Sequence, residues 1–175
     1  DGLSDACELV LAQRHAPVLA VSTRDCLRTA RDSRVPLEGA YLFAVAPWGD
    51  GVRIAYLPAW TRDCGWVGAA CWGRRAGCSG HAGDSELIVL DIIGRGMEAS
   101  RVHGIFLSAH CFGDDDAACR WHRDVALAKF AWADGQLGAG VRPVLWVSRG
   151  KHALYPSRAA CDRGNWRRET CDGPY

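Results

Sequence analysis

Short apolar runs separated by glycine, proline and charged residues dominate this chain, and that pattern is typical of β-strands. The segment 47–51, Pro-Trp-Gly-Asp-Gly, lies between two such runs and predicts a hairpin turn. Residues 5–15 instead have the pattern of a short amphipathic helix, with Ser4 placed as its N-cap. Strands are predicted at 17–21, 40–46, 52–60, 85–93, 102–109 and 143–148.

The remaining segments lack a clear strand pattern. Residues 24–38 and 61–83 have no hydrophobic period and are predicted to be loops, the second one rich in glycine and cysteine. The segment 121–133 fits both helical spacing and strand alternation, so both interpretations stay open. The polar tail 158–175 is expected to be closed by its two cysteines. Five or six strands with little helix predict a mainly β fold, a β-sandwich with one or two short peripheral helices and long disulfide-stapled loops.

Length and charge narrow the class of protein. A chain of 175 residues is expected to form one domain, 1–175. Lys+Arg number 21 and Asp+Glu 20, so the net charge of +1 argues against a protein held to nucleic acid by bulk charge. Apolar runs such as 87–93 are too short for a transmembrane segment. No charged-then-apolar leader opens the chain, and we expect any signal peptide to have been removed.

Nine cysteines are many for a protein of a reducing compartment. No C-x2-C pair of the zinc-ribbon type is present, and the nearest pairs are spaced seven to ten residues apart, which suits small disulfide loops. We therefore predict a secreted or periplasmic protein with about four bridges, each contributing roughly 2–4 kcal/mol. An extracellular location is preferred, and the protein is expected to be a monomer. One thiol is left free or pairs outside the chain. The cysteines are Cys7, Cys26, Cys64, Cys71, Cys78, Cys111, Cys119, Cys161 and Cys171.

A candidate metal site lies at the start of the strand predicted at 85–93. Residues two apart in a strand share a face, so Asp84 and Glu86 point the same way and His81 can fold back over them. One imidazole and two carboxylates on one face suit a divalent cation. Without a cation, the two carboxylates would repel one another. The alternative is a solvated strand face with a loop histidine nearby.

Other titratable residues stand at the ends of predicted strands, where a sheet opens into loops and sites are commonly built. His110 ends the strand at 102–109, and His152 follows the strand at 143–148. Asp63 has a comparable position after the strand at 52–60. A single histidine in such a place is more often a structural residue, so the convergence of these groups is a hypothesis about the tertiary structure.

The same residues carry a family resemblance over 11–156. The chain resembles the Vps62-like proteins and, more distantly, the necrosis-inducing Nep1-like (NPP1) cytolysins. The motifs are LAQRHAPVL at 11–19, Ala55-Tyr56 with Asp63, His81-x-Gly83-Asp84-x-Glu86, GIFLSAH at 104–110 and RPVLWVSRGKHAxYP at 142–156.

The resemblance implies a β-sandwich with a divalent cation in a surface cavity. Carried over by motif, the ligands are Asp63, His81, Asp84 and Glu86, with waters completing the coordination. Calcium or magnesium is favoured by the carboxylates, and manganese or zinc is the alternative. The cytolysins bind glycosylated sphingolipid headgroups and damage the membrane. Their motif has an Arg, a second His and a Trp that are missing from residues 80–86, and in this the chain is closer to the Vps62-like proteins.

The first functional hypothesis is a secreted binding protein, with or without a cytolytic step, for a glycan, a lipid headgroup or a small anionic ligand. The cation would hold sugar hydroxyls or an anionic group, and no bond would be broken. Arg149 and Tyr155 are the expected polar ligand contacts. Trp66 and Trp72, in the Gly/Cys-rich loop, are expected either to cover apolar parts of the ligand or to pack in the core.

The second hypothesis is a metal-dependent hydrolase of phosphoesters or glycans that uses the same site. The cation would lower the pKa of a bound water, with His110 or His152 as acid or base. Lys151 or Arg149 would stabilise developing negative charge. No catalytic signature of a known hydrolase class is present. A third hypothesis is an inert, disulfide-stapled structural domain.

Overall fold

The described part of the chain is mainly β and forms two sheets and two α-helices, as the sequence predicts. The computed structural model describes residues 2–25, 41–65, 80–96, 98–108, 119–133, 138–167 and 170–173. The elements are α1 (Asp5–His15), β1 (Val18–Ala20), β2 (Tyr41–Trp48), β3 (Gly51–Asp63), β4 (His81–Ser85), β5 (Ile88–Ile93), β6 (Arg101–Leu107), β7 (Arg120–Arg123), a 3₁₀ helix (Asp124–Lys129), β8 (Ala131–Trp132), β9 (Pro143–Val147), β10 (Leu154–Tyr155) and α2 (Arg158–Arg167).

The larger sheet has six strands and is organised around the long strand β3. Its order is β2-β3-β5-β6-β7, and β2 and β3 form the predicted hairpin through a two-residue turn at 49–50. Residues 52–56 of β3 pair with β5, whereas residues 59–63 pair with β4. Both pairings are antiparallel, so β4 and β5 follow one another along the same edge of β3. The end of β3 therefore depends on β4 for its hydrogen bonds.

The smaller sheet has four strands around β9. Strand β1 pairs with β9 in parallel, and β8 and β10 pair with it antiparallel. The alternating residues of β3, β5 and β6 that face inwards meet apolar residues of β9 and β10 and form the main core. Within the described ranges, no helix is long and apolar enough to span a membrane.

Helix α1 has the predicted bounds, and its N-cap is Ser4, whose hydroxyl accepts a hydrogen bond from the amide of Cys7. The helix is anchored to the sandwich because the Tyr56 hydroxyl donates to the carbonyl of Ala12. At its end, His15 is buried and lies 3.0 Å from the Ser100 hydroxyl.

Three local predictions need correction. The strand predicted at 85–93 is two strands, because residues 86–87 leave β4 and bond instead to Pro58 and Ser108 before β5 begins. The open segment 121–133 is neither one helix nor one strand but β7, the 3₁₀ helix and β8. The predicted loop at 61–83 is extended at both ends, since β3 continues to Asp63 and residues 62–63 pair with 81–82 in an antiparallel ladder.

The tail is closed as predicted but is more ordered than its polarity indicates. Cys161 and Cys171 form a disulfide with a Cα–Cα distance of 6.0 Å. Helix α2 contains Cys161, and the residue before the helix is Ser157, whose hydroxyl accepts a hydrogen bond from the amide of Ala160. Among the described cysteines, Cys7 is the free thiol and is exposed, whereas Cys64 and Cys119 are disulfide-bonded.

Candidate functional site

Charged side chains converge where β3 ends, β4 begins and the turn 148–153 follows β9. Asp63, the last residue of β3, is paired with His81, the first residue of β4. The amide of Cys64 donates a 2.7 Å hydrogen bond to the carbonyl of Gly150, which attaches the turn to the end of β3. We call this cluster the charged rim: Asp25, Asp63, His81, Asp84, Lys151 and His152.

The turn 148–153 places two neighbouring side chains in opposite environments. The Ser148 amide donates to the Ala153 carbonyl, and the His152 amide donates to the Ser148 carbonyl, both at 2.9 Å. His152 has a φ of 57°, in the left-handed region that residues other than glycine rarely adopt. With this backbone the imidazole of His152 is fully buried, whereas the side chain of Lys151 is 20% exposed.

His152 connects two aspartates from distant parts of the chain. Its Nδ1 lies 2.9 Å from Asp84 Oδ2 and its Nε2 lies 3.3 Å from Asp25 Oδ1. The ring stacks on Trp60, with centroids 4.7 Å apart and an interplanar angle of 10°. Burial by itself lowers the pKa of His152, but the hydrogen bonds and charges of Asp25 and Asp84 outweigh it and raise the pKa to about 9. His152 is therefore an imidazolium at neutral pH.

The sequence gives no signal for Asp25, which lies in a segment predicted as loop. The structure buries it, with Oδ1 facing His152 and Oδ2 accepting a 3.0 Å hydrogen bond from the Gly150 amide. The Asp25 amide donates to the carbonyl of Ser22. Its carboxylate thus holds both the backbone and the imidazole of the turn 148–153, which is a positioning role.

Asp63 is the second buried carboxylate of the charged rim. Its Oδ1 accepts a 2.6 Å hydrogen bond from the Gly65 amide. Its Oδ2 accepts from the ammonium group of Lys151 and lies 3.1 Å from His81 Nε2. The ammonium group of Lys151 and the imidazole of His81 therefore meet on one carboxylate oxygen.

His81 is the exposed member of the charged rim, with 61% of its side chain accessible. Its Nδ1 lies 2.8 Å from the carbonyl oxygen of Gly83, which can only accept, so this nitrogen carries a proton. Its Nε2 faces Asp63 Oδ2, so both ring nitrogens of His81 already have a partner in the protein.

The charges of the rim nearly cancel. Asp25, Asp63 and Asp84 supply three carboxylates, and Lys151 and His152 supply two cations. Because these groups are partly desolvated, removal of one member would leave the charge of its partner unpaired.

The remaining predicted site residues lie apart from this pairing. Glu86 accepts a 2.7 Å hydrogen bond from the Ser108 hydroxyl, which itself accepts from the Leu87 amide. Arg149 lies 3.6 Å from Asp172, and Tyr155 is buried in a small cluster beside the Cys161–Cys171 disulfide. Three more predicted site residues lie outside the described ranges: Trp66, Trp72 and His110.

Asp172 ties the tail to the segment that carries Asp25. Burial raises its pKa, but hydrogen bonds from Ser22 and Arg24 and the charges of Arg24 and Arg149 outweigh burial and leave the pKa lowered. The amide of Arg149 also donates to the carbonyl of Thr170. The disulfide-closed tail therefore supports the turn 148–153 from outside.

The residues expected to bind a divalent cation do not form a ligand set as they lie. Among the described residues, no group of three or more His, Cys, Asp or Glu side chains could hold a metal ion. Asp63 is already neutralised by Lys151, and Asp84 accepts hydrogen bonds from His152 and from the Ser85 amide. A cation would have to displace these protein donors, so no step of the proposed function below passes through one.

No family model, curated protein or solved structure matches this chain. The resemblance to Vps62-like and Nep1-like proteins stays a prediction.

Proposed function

We propose that the chain is a secreted, disulfide-bonded binding protein that recognises a polar or anionic ligand at the charged rim without breaking a bond. The ligand is a glycan or a lipid headgroup whose oxygen atoms accept hydrogen bonds from Lys151. One observation carries the proposal: the Lys151 side chain is 20% exposed, while its ammonium group is held in place by the buried carboxylate of Asp63. Disulfides of this kind persist in oxidising compartments, which supports secretion.

Lys151 has the capacity for such a ligand. An ammonium group has three N–H donors, and within the described part of the chain the contact of Lys151 is with Asp63. Two donors are left for ligand oxygens such as hydroxyl, carboxylate or phosphate. Asp63 restricts the flexible side chain beforehand, which reduces the entropy lost on binding.

Binding is favoured over hydrolysis because His152 is not placed to exchange a proton with a ligand. Both of its ring nitrogens face aspartate oxygens, and the side chain is fully buried. A general acid or base must lie within hydrogen-bond reach of the reacting group. The geometry of His152 instead suits a residue that positions the turn 148–153.

The proposal is tested with the two lysines of the chain, Lys151 and Lys129, which form a matched pair. Wild type, Lys151→Ala and Lys129→Ala are applied to a glycan array and to vesicles with glycosphingolipid or anionic lipid. We expect wild-type binding that Lys151→Ala weakens about tenfold or more, since a hydrogen bond to a charged group contributes roughly 1.5–3 kcal/mol. Lys129, exposed on the 3₁₀ helix, is expected to be dispensable.

The same samples separate the competing functions. Released product from glycans or phosphoesters would favour the hydrolase, and dye release from the vesicles would add a cytolytic step to binding. Loss of retention in chelator would assign recognition to the divalent cation that the family resemblance implies. Equal retention of wild type and Lys151→Ala, or no retention on any surface, would contradict the proposal.

A further inference from the structure

The outer face of the six-stranded sheet carries a second charged cluster, separate from the charged rim. Asp91 of β5 is completely buried under two arginines. Its carboxylate accepts from Arg53 Nε at 2.7 Å and Nη2 at 3.2 Å, a bidentate pair, and from Arg123 Nη2 at 3.0 Å. We call Arg53, Asp91 and Arg123 the arginine pair site.

Strand register explains how these residues meet. Arg53 is directly opposite Asp91, Asp91 is opposite Gly104, and Gly104 is opposite Arg123, so the four form one row across the sheet. Gly104 has no side chain, and Arg123 reaches across it to Asp91. A Cβ on Gly104 would lie 3.4 Å from Arg123 Cγ and 3.5 Å from Asp91 Oδ2. Glycine at 104 therefore leaves room for Arg123 to lie along the sheet.

Two tryptophans flank the row. The guanidinium carbon of Arg53 lies 5.0 Å from the ring centroid of Trp48 and 4.8 Å from that of Trp121. The guanidinium carbon of Arg123 lies 5.7 Å from Trp48 and 5.0 Å from Trp121. All four distances are in the range of cation–π attraction, which fixes the guanidinium groups between two indoles.

We propose that the arginine pair site binds the oxyanion of an acidic saccharide, a carboxylate or a sulfate ester. Two guanidinium groups share one carboxylate, so the site keeps one positive charge, and the arginine side chains are 36% and 41% exposed. Within the described residues, Nη1 of Arg53 and both Nε and Nη1 of Arg123 make no hydrogen bond. These donors suit a bidentate oxyanion, and one bound anion completes the charge balance.

A saccharide is favoured over a free ion because of the surroundings of the charge. Trp121 is exposed beside the arginines and Trp48 is half-buried, so flat apolar surface borders the donors. An indole can cover the C–H face of a sugar ring while the guanidinium groups hold its acidic substituent. Within the described part of the chain, both arginines and Trp121 are accessible on this face of the sheet.

The test uses Arg123→Gln with Arg101→Gln as the matched control on the same sheet. Arg123→Gln leaves the bidentate pair of Arg53 with Asp91 in place, so the fold is expected to persist while the net charge of the site falls to zero. The probes are oligogalacturonate and a sulfated oligosaccharide, with inorganic sulfate, a neutral oligosaccharide and anionic vesicles as comparisons. Affinity is measured by calorimetry, and contact is followed through arginine Nε–Hε NMR signals.

We expect wild type to bind an acidic saccharide more tightly than sulfate alone, and Arg123→Gln to bind it about tenfold more weakly. Arg101→Gln is expected to match wild type. A shift of the Arg53 and Arg123 Nε–Hε signals on binding separates this proposal from the charged rim, which contains no arginine. Arg123→Lys keeps the positive charge but loses the planar guanidinium group that donates two parallel hydrogen bonds. This variant is therefore expected to bind the acidic saccharide more weakly than wild type. Unchanged affinity in both Arg123 variants, binding of vesicles alone, or no binding of acidic saccharide by wild type would overturn the proposal.

Discussion

His152 shows how one residue can organise the charged rim. Its left-handed backbone and the burial of its charged ring would each be costly alone, and the stacking on Trp60 and the two carboxylate partners offset that cost. A buried imidazolium is stable here only since Asp25 and Asp84 lie at its two nitrogens. The residue therefore joins three chain segments and leaves the neighbouring Lys151 accessible.

The raised pKa of His152 predicts a loss of stability in alkaline solution. A pKa of about 9 in the folded state against 6.5 unfolded stabilises the protein fully below pH 6.5, and that contribution, roughly 3 kcal/mol, is lost as pH rises through 9. Denaturant unfolding of wild type and His152→Asn between pH 6 and 10 measures it. The difference between the two should shrink as pH rises, with His103→Asn as the control. A constant difference would contradict the prediction.

The lowered pKa of His15 predicts a loss of stability in acid solution. Burial, and then the charge of Arg14, lowers its pKa to about 4. Above pH 6.5 the ring is neutral in both states, and as pH falls from 6.5 to 4 the unfolded chain gains a proton that the folded one does not, so stability decreases. His15→Gln should flatten the unfolding free energy over this interval. An equally steep acid slope in that variant would show that other groups cause it.

At the level of elements, the length of β3 determines the position of the charged rim. Its thirteen residues exceed what β5 can pair, and β4 supplies the partners for 59–63. Thr61, Arg62 and Asp63 are polar and look like loop in the sequence, but the β4 ladder keeps them extended. That extension brings Asp63 to His81 and to the turn 148–153.

The start of β3 gives a stability test of the sheet. A Cβ on Gly51 would lie 1.9 Å from the carbonyl oxygen of Ile92, a backbone atom of β5 that cannot rotate away. Gly51→Ala is therefore expected to lower the free energy of unfolding by about 3 kcal/mol through forced separation of the strands. At Gly49, two residues earlier, a Cβ would meet no atom within 4 Å, but the φ is 53°. Gly49→Ala should therefore lower the free energy of unfolding by only about 1 kcal/mol.

Chemical denaturation of both variants measures this contrast. Comparable losses at the two positions would show that strand separation is not the cause.

At the scale of the whole molecule, covalent closure of the tail supports the rim. The Cys161–Cys171 bond lies beside buried Tyr155. Asp172, which follows Cys171, contacts Arg24, the neighbour of Asp25, and Arg149 of the turn 148–153. The tail thus connects the segment that ends at Asp25 with the turn that carries Lys151.

Removal of this bridge should reduce both stability and binding. The double variant Cys161→Ser/Cys171→Ser is expected to lose about 2–3 kcal/mol, the contribution of a short closed loop. Binding at the charged rim should weaken with it, since Asp172 loses its fixed position. Cys7→Ser, which alters an exposed free thiol, is the control for thermal unfolding and retention. Equal behaviour of the two variants would contradict a supporting role for the tail.

Local patterns in the sequence were sufficient for the β class, the hairpin, α1 with its Ser4 cap, and the closure of the tail, because alternation, turn residues and capping act between near neighbours. The same patterns singled out Asp63, His81, Asp84 and His152 as residues at strand ends. The partners of these residues came only from the tertiary structure. Asp25 and His152 are 127 positions apart, and Asp63 and Lys151 are 88 apart. Such pairs depend on strand order and on the backbone of one turn, and neither leaves a periodic trace along the chain.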